Sequence, residues 1–254
     1  MLLAVDVGNT QTHVGAFDGT ELIGDWRLAT RGDSTADELA LALAGSLQFR
    51  GFDWDGVEGL ILSTVVPRLG PEYERLCGQH LAARYLPVGP TARTGMAILI
   101  DNPRELGSDR LVNAVSAYEK VGGRCLSVDF GTSINVDAVS ADGEYLGGVI
   151  APGLEVSIEA LSSRAAKLPR FELSEPEQAI GRNTQTALQS GFAYGFAGLV
   201  DGVVVRMRRE LGADARVIAT GGMATTIAPL CDTIDEVDPY LTLAGLRLIW
   251  ERNL

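Results

Sequence analysis

The sequence predicts an α/β protein of two duplicated lobes with a cleft between them, and three observations predict it. The chain is 254 residues long, enough for one large core or two modest ones. A segment near its start recurs about halfway along. Between and after the two copies, apolar residues change from the alternation of strands to the period of helices. Hydrophobic content of 46%, charged content of 21% and 30 glycines describe a folded α/β chain rich in tight turns.

The repeat sets LAVDVGNTQTHVGAFDGTELIG (Leu3 to Gly24) against LSVDFGTSINVDAVSADGEYLGG (Leu126 to Gly148), with one residue inserted in the second copy. Each copy reads as an apolar strand, a turn at the Gly after Asp6 or Asp129, a second strand (Thr12 to Phe17; Asn135 to Val139), an Asp-Gly hairpin and a third strand. After the first copy, Ser34 to Gln48 has an acidic first turn and apolar residues at helical spacing, and EGLILSTVV reads as a buried strand. After the second, a long helix from TALQSGFAYG to RMRREL precedes the strand ARVIATGG. The halves meet near Val121 to Arg124, giving lobes 1–121 and 122–254. Asp6 and Asp129 are then expected on opposite walls of one cleft.

Charge and residue usage exclude several function classes. A net charge of -12 disfavours binding to nucleic acid or to an anionic membrane surface. Cys77, Cys125 and Cys231 are too widely spaced for a disulfide framework or a paired-cysteine metal site, which fits a reducing cytoplasm. The start MLLAVDVG lacks a basic region and cleavage site, and no stretch is expected to reach the roughly 18 apolar residues of a membrane span. Of 21 basic residues 19 are Arg, the only lysines being Lys120 and Lys167. Neither follows a glycine-rich turn, so a P-loop or protein-kinase scheme of phosphate binding is disfavoured.

The turn from Gly8 to Thr10 is expected to present consecutive backbone N–H groups beside the amides of Asn9 and Gln11 and the hydroxyls of Thr10 and Thr12, a nest for anionic oxygens. Gly131 and Thr132 do the same in the second copy. Asp6 would hold a divalent cation there, directly or through water, since a carboxylate alone repels triphosphate. Gly221 and Gly222 end a strand and permit close backbone approach to a flat ligand or phosphate. In DNPRELGSDRLVNAVSAYEK a helix starts near Ser108, read as its N-cap, with Asp109 and Arg110 in the first turn and Gly107 letting a ligand approach. The helix dipole is expected to keep Asp109 ionised and to favour an anion close by.

His13 lies in the phosphate loop, whereas His80 reads as a helix surface or core residue; neither has metal-ligand spacing. The acidic run CDTIDEVDPY reads as a solvated edge. Gly191, Gly195, Gly198 and Gly202 form one stripe of the long helix, where each glycine costs about 0.5 to 1 kcal/mol relative to Ala. Close approach of another helix, within the lobe or across a subunit interface, would compensate.

In this order, DVGNTQTH, DNPRELGSDR, DFGT, GGVIAPG, GRNTQTAL and ATGG resemble the type III pantothenate kinases, members of the acetate and sugar kinase and actin superfamily of duplicated ribonuclease H-like lobes. The resemblance spans nearly the whole chain. It implies ATP-dependent phosphorylation of pantothenate, the first step of coenzyme A synthesis, by a cytoplasmic homodimer needing Mg²⁺ or a similar divalent cation and K⁺ or NH₄⁺. Asp6, Val7, Gly8, Asn9, Thr10, Gln11, Thr12 and His13 are similar to the ATP-phosphate loop, and Thr132 to a further ATP contact. Gly107, Ser108, Asp109 and Arg110 are similar to the pantothenate segment with Asp109 as proton acceptor, Asp129 to the monovalent-cation ligand and Thr184 to a substrate contact.

The chain departs from the family in two places. Where many members carry a substrate-contacting aromatic residue, it has Ile100, and the stretch after DFGT is SINVD where Thr is usual. Two alternatives follow: a catalytically silent nucleotide-binding relative acting as a regulator, and a kinase of another small hydroxy acid.

Overall fold

The computed structural model describes residues 1–165, 171 and 173–254; Lys167 lies outside them. The first copy of the repeat is a meander of β1 (Leu2–Val7), β2 (Gln11–Asp18) and β3 (Glu21–Ala29), followed by α1 (Ala36–Phe49), β4 (Gly59–Thr64), α2 (Leu69–Leu76) and β5 (Arg84–Pro87). After α3 (Ser108–Val121) the second copy gives β6 (Cys125–Phe130), β7 (Ser133–Val139) and β8 (Tyr145–Pro152). It continues through α4 (Leu154–Arg164), α5 (Thr184–Leu211), β9 (Arg216–Thr220), the short α6 (Ala224–Ile227), β10 (Glu236–Val237) and α7 (Leu241–Glu251).

The two sheets have one topology. Their strand orders, β3-β2-β1-β4-β5 and β8-β7-β6-β9-β10, superpose copy on copy. In both, the meander is antiparallel and the next strand joins the first in parallel. Both outer hairpins carry a register shift at the same place, Ala16/Phe17 and Ala138/Val139. This is the duplication that the repeat predicted, in the ribonuclease H-like form that the family resemblance implies.

Alternation decides which face of each first strand meets a core. Leu3, Val5 and Val7 of β1 join Val14, Ala16, Trp26, Leu43, Leu47 and Tyr73 beneath α1 and α2. Leu126, Val128 and Phe130 of β6 join Ile134, Val136, Ala197, Val200 and Val204 beneath α5. Asp6 and Asp129, one residue out of phase with these sets, stand on the opposite faces. Thr35 caps α1 through a capping box with Glu38, so that helix begins two residues inside its predicted start.

Three expectations change. The lobes do not divide at one cut: residues 1–96, 102–116 and 241–254 form one compact unit, and 97–101 with 117–240 form the other. The cause is packing. Helix α7 buries Leu241, Leu243, Leu246 and Ile249, and a Cβ on Gly15 of β2 would lie 2.9 Å from Leu243. Gly59 of β4 likewise leaves room for the Trp250 ring, 2.3 Å from the position of a Cβ. In the other direction, Ile98 pairs with Tyr145 at the end of β8.

The acidic run is not merely a solvated edge, because it contains β10, parallel to β9. Its acids have partners: Asp235 meets Arg208 at 3.0 Å, and Glu236 and Asp238 meet Lys120 at 2.6 and 2.7 Å. Finally, α5 is long and apolar enough, by length and composition alone, to cross a membrane, contrary to the expectation that no segment would be. Its Ala193, Ala197, Val200 and Val204 are buried against the second sheet.

Candidate functional site

The first unit gathers two carboxylates at the ends of its parallel strands. Asp6 is paired in register with Ser63 of β4 on one side and His13 of β2 on the other. Beside it, Asp109 occupies the first turn of α3, which is tied to β4 through Ser108. The Ser108 hydroxyl lies 3.0 Å from the Ser63 hydroxyl, accepts from the Thr64 N–H at 3.0 Å and donates to the Thr64 carbonyl at 3.2 Å.

Ser108 is therefore the first residue of the helix and a clamp to the sheet, not its cap. The Leu111 N–H bonds the Gly107 carbonyl instead. Gly107 has a second constraint, for a Cβ there would lie 2.5 Å from Asp109 Oδ1. Only glycine lets that carboxylate fold back over the helix start, where it accepts the Arg110 N–H at 2.8 Å.

Electrostatics at this pair follow from burial. Desolvation, with the Asp109 charge added, lifts the Asp6 carboxyl from the ordinary 3.8 to about 7, against the lowering effect of the Ser63 hydroxyl and Arg27. Asp6 Oδ1 is buried without a hydrogen-bond partner. Burial also raises the Asp109 carboxyl and outweighs the Arg110 N–H and guanidinium. The expectation that the helix start holds Asp109 firmly ionised is thus reversed in direction: loss of water exceeds the gain from the helix terminus.

The loop after β1 is tighter than predicted. The Gly8 N–H is spent on the Gln11 carbonyl at 3.0 Å, so the exposed part of the turn is Asn9, Thr10 and Gln11. Val7 and Thr12 fall on the core face. The Thr12 hydroxyl pairs with that of Thr30 at 2.9 Å, which strand alternation dictates and a reading of the loop as a row of free hydroxyls overlooked. His13 is buried, with Nε2 3.1 Å from Asp25 Oδ2, and burial lowers its pKa. His80 is a surface residue bound to Asp37 at 2.6 Å.

The second unit gathers its own set. Asp129 pairs in register with Thr220 and Asn135. Gly221, at φ +96°, leaves space that a Cβ would fill only 2.4 Å from Asp129 Oδ1. The Gly131–Thr132 turn lies against Gly153, whose N–H bonds the Thr132 carbonyl at 3.0 Å. Gly222 is exposed. Thr184 is exposed at the start of α5, just after the Asn183 cap. Ile100 Cγ2 lies 3.6 Å from where a Cβ on Gly147 would be, in the segment that pairs with β8.

Among the described residues no cluster of His, Cys, Asp and Glu could hold a metal alone. All three cysteines are free, and burial pushes their thiols up to about 12. The buried, unpartnered oxygen of Asp6 nonetheless suits a cation that is shared with a ligand. Arg27 and Ser63 were not anticipated. Both lie on the strands flanking the Asp6–His13 pair.

Comparisons with known proteins agree with this layout. A putative N-acetylglucosamine kinase from Porphyromonas gingivalis superposes with a TM-score of 0.57 at 14% identity, over 100% of this chain and 99% of that one. A conserved putative Baf family transcriptional activator from Campylobacter jejuni gives 0.61 at 20% identity, over 99% and 98%. At such identities these speak for the fold. The profile of the type III pantothenate kinases matches residues 2–206. A type III pantothenate kinase of Moorella thermoacetica is 48% identical over 253 residues, covering 100% of both chains. This chain belongs to the type III pantothenate kinase family.

Proposed function

We propose that this chain transfers the γ-phosphoryl group of ATP to the 4′-hydroxyl of pantothenate, the first step of coenzyme A synthesis in the cytoplasm. The observation that carries the reading is the Asp6–Asp109 pair. One buried carboxylate with an unpartnered oxygen stands beside a second that Gly107 and Ser108 hold at a helix start.

Phosphoryl transfer through a loose transition state depends on positioning and charge neutralisation more than on a strong base. Asp109 orients the hydroxyl and accepts its proton. The hydroxyl oxygen bonds to Pγ as the bridging O–Pγ bond breaks, and ADP leaves with the electron pair. A raised pKa makes Asp109 a better acceptor than an ordinary exposed carboxylate. Arg110 meets the pantothenate carboxylate, with Gly107, Ser108, Ile100 and Thr184 completing the substrate contacts.

Asp6, Asn9, Thr10, Gln11 and the neighbouring backbone to His13 are assigned to the ATP phosphates, with Thr132, Gly221 and Gly222 as further contacts. Bound Mg²⁺ or a similar ion would supply charge neutralisation between phosphate oxygens, and Asp6 would hold it directly or through water. Asp129, beside the space kept open by Gly221, would ligate K⁺ or NH₄⁺. A homodimer is part of the reading. Gly191, Gly195 and Gly198 are exposed, and a Cβ on any of them would meet nothing within 4 Å among the described residues, so the stripe is open to a partner subunit.

An ADP-release assay with pantothenate, with and without K⁺ or NH₄⁺, tests the activity, and turnover requiring pantothenate and rising with the monovalent ion is expected. No turnover in either condition would overturn the reading and favour a silent relative; ADP release only with another hydroxy acid would reassign the substrate. Light scattering at micromolar concentration should give twice the 26.9 kDa chain mass.

A further inference from the structure

Four residues stand in line across the first sheet. Ser63, Asp6, His13 and Arg27 are directly opposed on β4, β1, β2 and β3. Opposed residues of neighbouring strands share a face. Trp26 points into the core, so Arg27 presents its side chain on the face of Asp6, and it is exposed there.

The duplicated sheet provides an internal comparison. The equivalent line reads Thr220, Asp129, Asn135 and Ile150, so the carboxylate recurs while the place of Arg27 is taken by an isoleucine, 64% exposed. Strand pairing at this position therefore needs no cation. Nor is Arg27 committed elsewhere: among the described residues its guanidinium makes no hydrogen bond or ion pair. Asp25, two positions along the same face, is held by His13. The charge of Arg27 does reach Asp6, where it lowers the carboxyl pKa.

Phosphate chemistry calls for a fixed positive charge, which many folds supply with a lysine. Here Lys120 is bound to Glu236 and Asp238. Resting on the reading of Asp6 as part of a nucleotide site, we infer that Arg27 contacts the phosphate chain of bound ATP and neutralises charge on the phosphoryl group being transferred. Arg110 is left to the second substrate.

The test compares Arg27→Ala and Arg27→Lys with the parent enzyme. Because Arg27 is exposed, both should unfold at the parent's denaturant midpoint. In Arg27→Ala, kcat should fall about 100-fold or more, as loss of a charge-stabilising donor does, with KM for pantothenate nearly unchanged. Equilibrium binding without pantothenate should weaken for MgATP and stay the same for adenosine. Millimolar guanidinium should restore part of the lost rate, and Lys should restore less than Arg because it cannot bind two oxygens at once. Parent-like kcat and MgATP affinity in Arg27→Ala would overturn the inference, as would equal weakening of MgATP and adenosine. A parent enzyme inactive on pantothenate would sink the substrate assignment instead, and the MgATP-against-adenosine comparison would still decide the role of Arg27.

Discussion

Asp6 and Asp109 are electrostatic neighbours: the Asp109 charge adds to burial in raising the Asp6 carboxyl to about 7. The two carboxylates come from different elements, the end of β1 and the start of α3, and the Ser108 clamp on β4 sets their relation.

The ligand-free protein should respond to pH through Asp6. Asp6 keeps its proton up to about pH 7 when folded but only to about 3.8 when unfolded, so its contribution to stability is fully present below pH 4 and is lost as pH rises through this window. At about 1.4 kcal/mol per pH unit, roughly 3 kcal/mol should be lost between pH 5 and pH 8. Asp6→Asn removes this titration. Urea unfolding at the two pH values should show a steeper decline for the parent than for the variant; equal declines would refute the assignment.

Asp109→Asn retains the shape of the helix start and removes the proton acceptor. Turnover should drop by about 10² to 10⁴ while MgATP affinity stays close to that of the parent. Single-turnover kinetics with separately measured nucleotide binding would check this, and near-parental turnover would exclude Asp109 as the base.

Gly107→Ala places a Cβ 2.5 Å from the present position of Asp109 Oδ1, so the carboxylate must move. Displacement of a catalytic group by about 1 Å can cost up to 10²-fold. The expected result is a fall in kcat of ten- to a hundredfold with a small change in unfolding midpoint. Parental kcat would mean that the folded-back position of Asp109 has no part in the reaction.

Gly245→Ala tests packing rather than chemistry. A Cβ at this position in α7 would lie 2.3 Å from the Val112 carbonyl of α3, a backbone atom with little freedom to give way. A loss of about 1 to 3 kcal/mol is expected in denaturant unfolding. An unchanged midpoint would show that α7 and α3 are not in close contact in solution.

The fold was legible because the chain says it twice. Matched Asp-x-Gly and Asp-Gly turns fixed the strands of both meanders, and the two sheets follow with the same order. Long-range packing was not legible: nothing local marks α7 as cover for β1, β2 and β4, or Ile98 as a partner for Tyr145. At the site, residue types identified Asp6, Gly107 and Asp109, but their bonds depend on tertiary neighbours. Ser108 looked like a cap because only its own helix was in view, and its hydroxyl belongs to Ser63 and Thr64. Arg27 escaped for a reason that can be counted. Pairing outward from the Asp18–Glu21 hairpin puts Trp26 opposite His13, and the shift at Ala16/Phe17 moves Arg27 there instead.

The return of α7 to the first sheet also orders events during synthesis. Residues 117–240 of the second unit leave the ribosome as one stretch, whereas the first unit lacks one of its layers until residues 241–254 have been made. A growing chain would thus complete the later-encoded unit first, leaving the face of β1 that carries Asp6 uncovered by α7 in the interval. Leu2, Ala4 and Phe17, buried in the finished chain, lie on that face.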